Sequence, residues 1–542
     1  MSIEEDAYRY AVKNAFLHGG KAEAGAIVGK VKALYPKLDI KKAMAIALEA
    51  VKKANALEHE ELKRDFERFE GQGWELKPKE KEDSLPALGW AEENREKVVT
   101  RFAPNPNAPF HLGNARTAIL SKEYAERYKG RFILRFDDTD PKVKRPIEDA
   151  ERIFKEDLHW LGCDPDETFF ASDRLGLYYD YLRTALEKGF AYVCDCDSET
   201  WRKKIKAKKA CKCRGLEPKE QLKRFEKMMD GETKEGESVV RIKTDLKNKD
   251  PSVRDWWAAK AVDNPVHTNP TALKKHVWPS YNFASAIDDH LLGTTLIIRG
   301  QEHEQNKTKQ EFLYRHFGWV YPHCFHIGRI SLQGMVLSKS RIREGIEKGE
   351  FSGWDDPRLG TIRALRKRGF RTEALKEALL DLGVNTNDSV LQLAKVIDLN
   401  RKIIEPESER MAFFEEPLQL DVNYAPNGMH RLFVDKKAFG KFKAGDVLRL
   451  RQLFNVKIVK KDEFQAFADF VGEAMVNKPV VGWFREGVDA EVLMDDNSRK
   501  IGMTDASILE KKAGGRVCFD GFGFCIVDRI EGEKAFLRFT HR

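Results

Sequence analysis

Two short stretches far apart in the chain carry side chains that suit a polyphosphate. In "APNPNAPFHLGNARTAIL", residues 103–120, Pro104, Pro106 and Pro109 stiffen a loop that opens a helix on His111 and Gly113. The first turn of a helix presents unpaired N–H groups and a partial positive charge, and a glycine there lets a phosphate approach the backbone. His111 adds a donor that can follow charge as it shifts during a reaction. In "MVLSKSRIR", residues 335–343, Lys339 stands between Ser338 and Ser340. It offers a mobile ammonium rather than a fixed planar fork. Each stretch alone also fits a stiff surface turn or a solvated loop lysine. The pair is what points to a nucleotide, even though the first stretch has neither of the two commonest phosphate-loop patterns.

A third constellation is metal-like. Cys194-Asp-Cys196 and Cys211-Lys-Cys213 place four thiols in two close pairs. Four thiolates suit tetrahedral Zn²⁺ and leave no open coordination position, so the expected role is structural, in preference to free thiols. The intervening "WRKKIKAKKACKCR" is strongly basic, which fits either phosphate contacts or a solvated helix face.

The elements around these residues follow from periodicity. "KVVTRF" (97–102) reads as strand, residues 112–129 as helix and "RFILRF" (131–136) as strand, so the proline loop lies where a βαβ unit in an open parallel sheet binds ligands. Residues 6–56 repeat apolar positions at helical spacing, and after Pro406 come short alternating runs expected to form barrels. A length of 542 residues predicts about three or four domains. No apolar run approaches the roughly 20 residues of a membrane helix, and the start "MSIEEDAYRY" has no export pattern, so a cytoplasmic location is expected. The net charge of +8 suits a polyanionic partner and many ordinary enzymes equally.

His111-Leu112-Gly113-Asn114 and Val336-Leu337-Ser338-Lys339-Ser340 resemble the His-Ile-Gly-His and Lys-Met-Ser-Lys-Ser signatures of class I aminoacyl-tRNA synthetases, with Asn114 and Val336 as departures. "RFAPNPNAPFHLGNART", "ILRFDDTDP", "YNFASAIDDHLLGTTLIIRGQEH" and "GWDDPRLGTIRALRKRG" narrow the resemblance to the glutamyl and glutaminyl branch, and the helical start and β-rich end to its archaeal glutamyl type. The resemblance implies ATP with Mg²⁺, L-glutamate and tRNA(Glu) as ligands, and leaves open whether tRNA(Gln) is a second acceptor. It implies His111 and Lys339 as catalytic and His111, Gly113, Glu302, Ser338 and Lys339 at ATP. It puts Arg101, Asp137, Tyr281 and Arg299 at glutamate, and its zinc site agrees with Cys194, Cys196, Cys211 and Cys213. A guanidinium holds a carboxylate bidentately where a neutral amide would leave it uncompensated, which favours glutamate. The other reading of each arginine is a structural ion pair with Asp137 or Asp288.

Under this resemblance the fold is multidomain α/β. It comprises a helical module (1–76) that is a candidate protein-binding unit, a linker (77–96), the first half of a Rossmann-like catalytic domain (97–189) and an acceptor-stem insertion (190–275). The second catalytic half (276–345), a helical connector (346–405) and a β-barrel anticodon-binding region (406–542) follow. Trp483, Phe484, Phe519 and Phe522 in the last region are base-stacking candidates, although most such aromatics are core. A glutaminyl enzyme and a non-catalytic tRNA-binding paralogue are the alternatives left open.

Overall fold

The computed structural model describes residues 2–17, 21–35, 38–70, 85–424, 428–474 and 477–542. They form two compact units, Met1–Asp83 and Ser84–Arg542. In the first, helices Ile3–Leu17, Ala24–Leu34, Ile40–Asn55 and His59–Glu70 enclose their own core. Ala43, Ala47, Ala50 and Ala54 line the buried face of the third helix, and small side chains there let neighbouring helices approach closely. Asp39 caps that helix by accepting from the N–H groups of Lys41 and Lys42. The fourth helix lies beyond the helical pattern read at 6–56. Its "HEELKRDFERFE" shows only Leu62, Phe66 and Phe69 as anchors, and Phe66 stacks on Phe16 at 4.1 Å.

The second unit is organised by a five-stranded, all-parallel sheet in the order Glu167–Phe170, Arg131–Phe136, Val99–Phe102, Leu296–Gly300, His323–Ile327. Strand 131–136 is buried on both faces after its first residue, as a parallel strand covered by helices should be. The first strand is central, and the order reverses between 99–102 and 296–300. In an open α/β sheet, the crevice beyond the strand ends at such a reversal is where ligands bind.

The expected linker at 77–96 needs correction. Residues 77–84 lie outside the described residues, but Leu85, Leu88 and Ala91 are buried against Val98, Leu120 and Leu296, with a helix at Gly89–Asn94. The charged "EKEDS" masked an apolar anchor that belongs to the sheet's flank. The insertion forms a four-stranded antiparallel sheet of 191–194, 239–242, 257–261 and 277–279, so its last strand passes the expected end at 275. Trp278 on that strand shares one core with Leu182 and Phe283, which is why composition shows no break there.

Past helices Ile362–Lys367, Thr372–Leu380 and Leu393–Ile404, residues 409–541 build a seven-stranded and a six-stranded barrel-like sheet. Phe484 and Phe519 are fully buried, Phe522 packs on the core of the larger sheet and Trp483 on that of the smaller, with Trp483 Nε1 donating to Arg451 O. Phe484 and Phe519 are therefore core and cannot stack on bases, whereas Trp483 and Phe522 are half-buried. No described helix is long and apolar enough to cross a membrane.

One segment, residues 359–371, ties the sheet's loops to the barrel. Gly360 O accepts from Leu112 N at 3.2 Å, and Gly360 N donates to Val336 O at 3.0 Å. Further along, Arg368 donates to Thr540 O at 2.9 Å and Arg516 donates to Gly369 O at 2.7 Å.

Candidate functional site

Beyond the ends of strands 99–102 and 296–300 opens a cavity of about 930 Å³. Arg101, His111, Gly113, Asp137, Tyr281, Arg299, Glu302, Ser338 and Lys339, all singled out from sequence, line it.

His111 is the N-cap of helix Leu112–Arg127, and its Nδ1 accepts from the N–H of Gly113 at 3.1 Å. An Nδ1 that accepts is unprotonated, so the neutral ring carries its proton on Nε2. Burial, and then the charge of Lys339, push its pKa down to about 3. His111 is thus a fixed neutral donor at ordinary pH. Gly113 leaves room for this arrangement, because a Cβ there would sit 3.1 Å from the imidazole's Cε1 and Nδ1 and crowd the ring.

Lys339 opens helix Lys339–Glu347, with Ser338 at the cap position and Ser338 Oγ 3.1 Å from Ser340 Oγ. Burial, helped by the nearby charges of Lys144 and Arg343, lowers its pKa to about 8. Arg343 on the same helix donates to Asn107 O at 2.5 Å, which fastens the lysine loop to the proline loop. Val336, a departure from the family signature, packs with Ile342, Phe351 and Leu359 and bridges Leu359, so its side chain anchors the loop. Asn114, the other departure, lines the cavity with its Oδ1 buried and unpaired.

The two arginines differ in a way their sequence context does not show. Arg101, 2% exposed, donates to Asp289 through Nε at 2.9 Å and through a terminal nitrogen at 3.4 Å, and Ser285 Oγ supports Asp289 at 3.2 Å. Its ion pair is with Asp289, not with Asp137 or Asp288. Arg299, 4% exposed, donates to Gln310 Oε1 and Tyr321 Oη, each at 3.0 Å, and to His326 Nε2 at 3.4 Å. Burial first and Arg299 second hold His326 below its usual pKa, so all three partners are neutral. A buried guanidinium without a carboxylate is an electrostatic vacancy for an anion.

Asp137 sits beside this pair. Burial raises its pKa, and Arg135, donating to its Oδ1 at 3.2 Å, counters that. Arg135 is fully buried and also grips Asp288 at 2.6 Å, where Arg174 and Tyr178 converge. Sequence reading missed this support; its signal was an arginine inside the otherwise apolar "FILRF". Asp138 and Asp140 serve the loop, Asp138 accepting from Ser172 N and Oγ, and Asp140 from Lys142 N and Val143 N. Glu302 stands at the rim, 3.7 Å from Arg329 Nε. Tyr281 opens helix Tyr281–Leu291 after the Ser280 cap.

In the insertion, Cys194 and Cys211 place their sulfurs 3.9 Å apart, as do Cys196 and Cys213, and all four lie within 4.8 Å of one another. Four sulfurs about 2.3 Å from a tetrahedral Zn²⁺ are separated by about 3.8 Å, so the donor set fits that ion. Of the basic run, Arg214 is committed to Asp255 at 2.8 Å, whereas Arg202, Lys204, Lys206, Lys208, Lys209 and Lys212 are exposed.

Residues 97–406 match the family described as tRNA synthetases class I (E and Q), catalytic domain. The chain is 44% identical to a glutamate–tRNA ligase of Pyrococcus abyssi and 38% identical to one of Methanothermobacter marburgensis, each match covering 100% of both chains. A glutamate tRNA ligase of Elizabethkingia meningosepticum, solved with its amino acid, aligns at 22% identity and a TM-score of 0.42 over 58% of this chain and 70% of that one.

Proposed function

The chain belongs to the class I tRNA synthetases of the glutamate and glutamine group, and from that premise we propose that it works in the cytoplasm as an ATP-dependent glutamate–tRNA ligase acting on tRNA(Glu), with tRNA(Gln) as a second acceptor. The observation that carries the reading is the shared cavity. The His111 and Lys339 loops meet there with Arg299, a guanidinium whose partners are all neutral.

In this reading the γ-carboxylate of glutamate pairs with Arg299, Arg101 and Tyr281 complete that wall, and Asp137 takes the α-ammonium. The α-carboxylate attacks the α-phosphorus of ATP, which arrives with Mg²⁺, giving glutamyl adenylate and pyrophosphate; the acyl group then passes to the terminal adenosine of tRNA, releasing AMP. A carboxylate is already a competent nucleophile, so positioning and charge stabilisation suffice. His111 donates Nε2–H to the phosphates and Lys339 supplies positive charge near Gly113 and Ser338, while Glu302 faces the adenosine. Aminoacylation of both purified tRNAs with labelled glutamate or glutamine tests this. Glutamate on tRNA(Glu) is expected, and charging with glutamine instead refutes the reading.

The lowered pKa of Lys339 gives a pH signature. Its ammonium is intact below about 8 and lost above. Accordingly kcat/KM for ATP should fall about tenfold per pH unit beyond that point. The bound triphosphate favours the charged form, so kcat holds to higher pH than kcat/KM. Lys144→Gln removes a repelling charge and should move the descending limb upward. His111, with its pKa near 3, contributes no limb between pH 5 and 9.

We also propose that Cys194, Cys196, Cys211 and Cys213 hold one structural Zn²⁺, which would cross-link the insertion. Elemental analysis should find one zinc per chain, and Cys211→Ser should lose it and lower the melting temperature. Full retention of metal and stability in that variant would count against the assignment.

A further inference from the structure

One titratable side chain in the wall of the catalytic cavity has no part in the chemistry above. His303 and Asn306 both line that cavity, and Asn306 Nδ2 donates to His303 Nδ1 at 2.8 Å. An amide nitrogen only donates, so Nδ1 accepts and the ring carries its proton on Nε2. Burial first and the Arg299 charge second, with Glu302 opposing, bring its pKa down to about 4. His303 therefore matches His111. Each is a half-buried imidazole held neutral, with one nitrogen fixed by a hydrogen bond and an N–H on the other.

The two rings serve different ends of the cavity. The cation that depresses His111 is Lys339, whereas those that depress His303 are Arg299, Arg101 and Lys144. The His303 ring also lies 5.7 Å from the ring of Tyr281, and the residue before it is Glu302. It stands at the seam between the glutamate wall and the adenosine edge, away from the phosphates. Of glutamate's polar groups, the γ-carboxylate has Arg299 and the ammonium has Asp137. The oxygen left without a donor is the acyl oxygen, where negative charge builds when the acyl carbon is attacked.

We infer that His303 is a further catalytic residue, whose Nε2–H donates to the acyl oxygen of the bound adenylate as glutamate passes to the RNA, with Asn306 as the positioning residue that fixes its tautomer. In that step a hydroxyl of the terminal adenosine attacks the acyl carbon, and the bond from that carbon to the phosphate oxygen breaks. The hydroxyl's proton leaves on the phosphate of AMP. His303 keeps its own, because a ring already protonated on the facing nitrogen is a donor and not a base. The inference rests on the ligase reading above and deepens it by dividing the cavity's donors between the two steps.

The test uses the full chain, tRNA(Glu) and labelled glutamate. It reads two rates: transfer to tRNA in a single turnover, and glutamate-dependent pyrophosphate exchange with tRNA present. His303→Phe keeps a ring but removes the donor, and should slow transfer by about 10²-fold while slowing exchange only about twofold. His303→Gln, which supplies an N–H again, should recover part of the transfer rate. Asn306→Leu, which leaves the ring free to take either tautomer, should slow transfer by a smaller factor than His303→Phe. A merely structural role would depress both rates together. Equal losses in transfer and exchange, or normal transfer in His303→Phe, overturn this inference alone when the wild-type chain charges tRNA(Glu). A wild-type chain that does not charge tRNA(Glu) overturns the ligase reading, and this inference with it.

Discussion

Lys339→Ala is expected to slow glutamate-dependent pyrophosphate exchange, assayed with tRNA present, by about 10²- to 10³-fold. The ammonium is half-buried at the start of helix Lys339–Glu347, and among the described residues no carboxylate pairs with it. Its charge is therefore available to the ligand, and the solvation it has lost is regained in full only when a phosphate is present. Charge on the phosphates grows and shifts along the reaction, so most of the loss should appear in kcat rather than in KM for ATP. Arg343 and Lys144 sit close enough to depress the lysine's pKa, yet neither replaces it, because Arg343 is already spent on Asn107 O. Lys339→Arg should recover little, since a planar fork does not reproduce a point charge between two hydroxyls. Near-normal exchange in Lys339→Ala would remove the lysine from the mechanism.

The second large effect concerns the acid. Arg299→Gln should lower kcat/KM for glutamate by about 10³-fold, mostly through KM, with KM for ATP unchanged. The variant keeps a polar group near Gln310 and Tyr321 but removes the positive charge that their neutrality leaves for a ligand. Arg101→Gln should behave differently. It would strand Asp289, 2% exposed, with Ser285 Oγ at 3.2 Å, and an unpaired buried carboxylate costs about 3–5 kcal/mol. Its main signature is therefore a lower melting temperature. If both variants lost only glutamate affinity and kept wild-type stability, the division of labour between the two arginines would be wrong.

That division marks the limit of what the sequence discloses. His111, Gly113 and Lys339 were legible because each stands at a helix start, a place that local patterning locates, whereas Asp137 and Arg299 were singled out through the family resemblance. Their partners were not. Asp289 meets Arg101 across 188 positions of chain, and Asp288 meets Arg135 across 153, through a sheet order that puts strand 296–300 beside strand 99–102. Periodicity reports which face of a strand is buried, not which strand lies next to it. The same limit applies to the barrels, where the runs read as strands but the parallel pairing of Gly487–Leu493 with Lys534–His541 had no local signal. Helices His59–Glu70 and Gly89–Asn94 escaped for the opposite reason, as charged surfaces hide short apolar anchors.

Residues 359–371 bond at one end to the helix that His111 opens and to the strand of backbone before Lys339, and at the other to the last turn of chain in the barrel. The bonds at the loop end are backbone to backbone, and those at the barrel end come from the side chains of Arg368 and Arg516. One stretch of thirteen residues therefore joins the last strand of the barrel to both loops of the catalytic cavity.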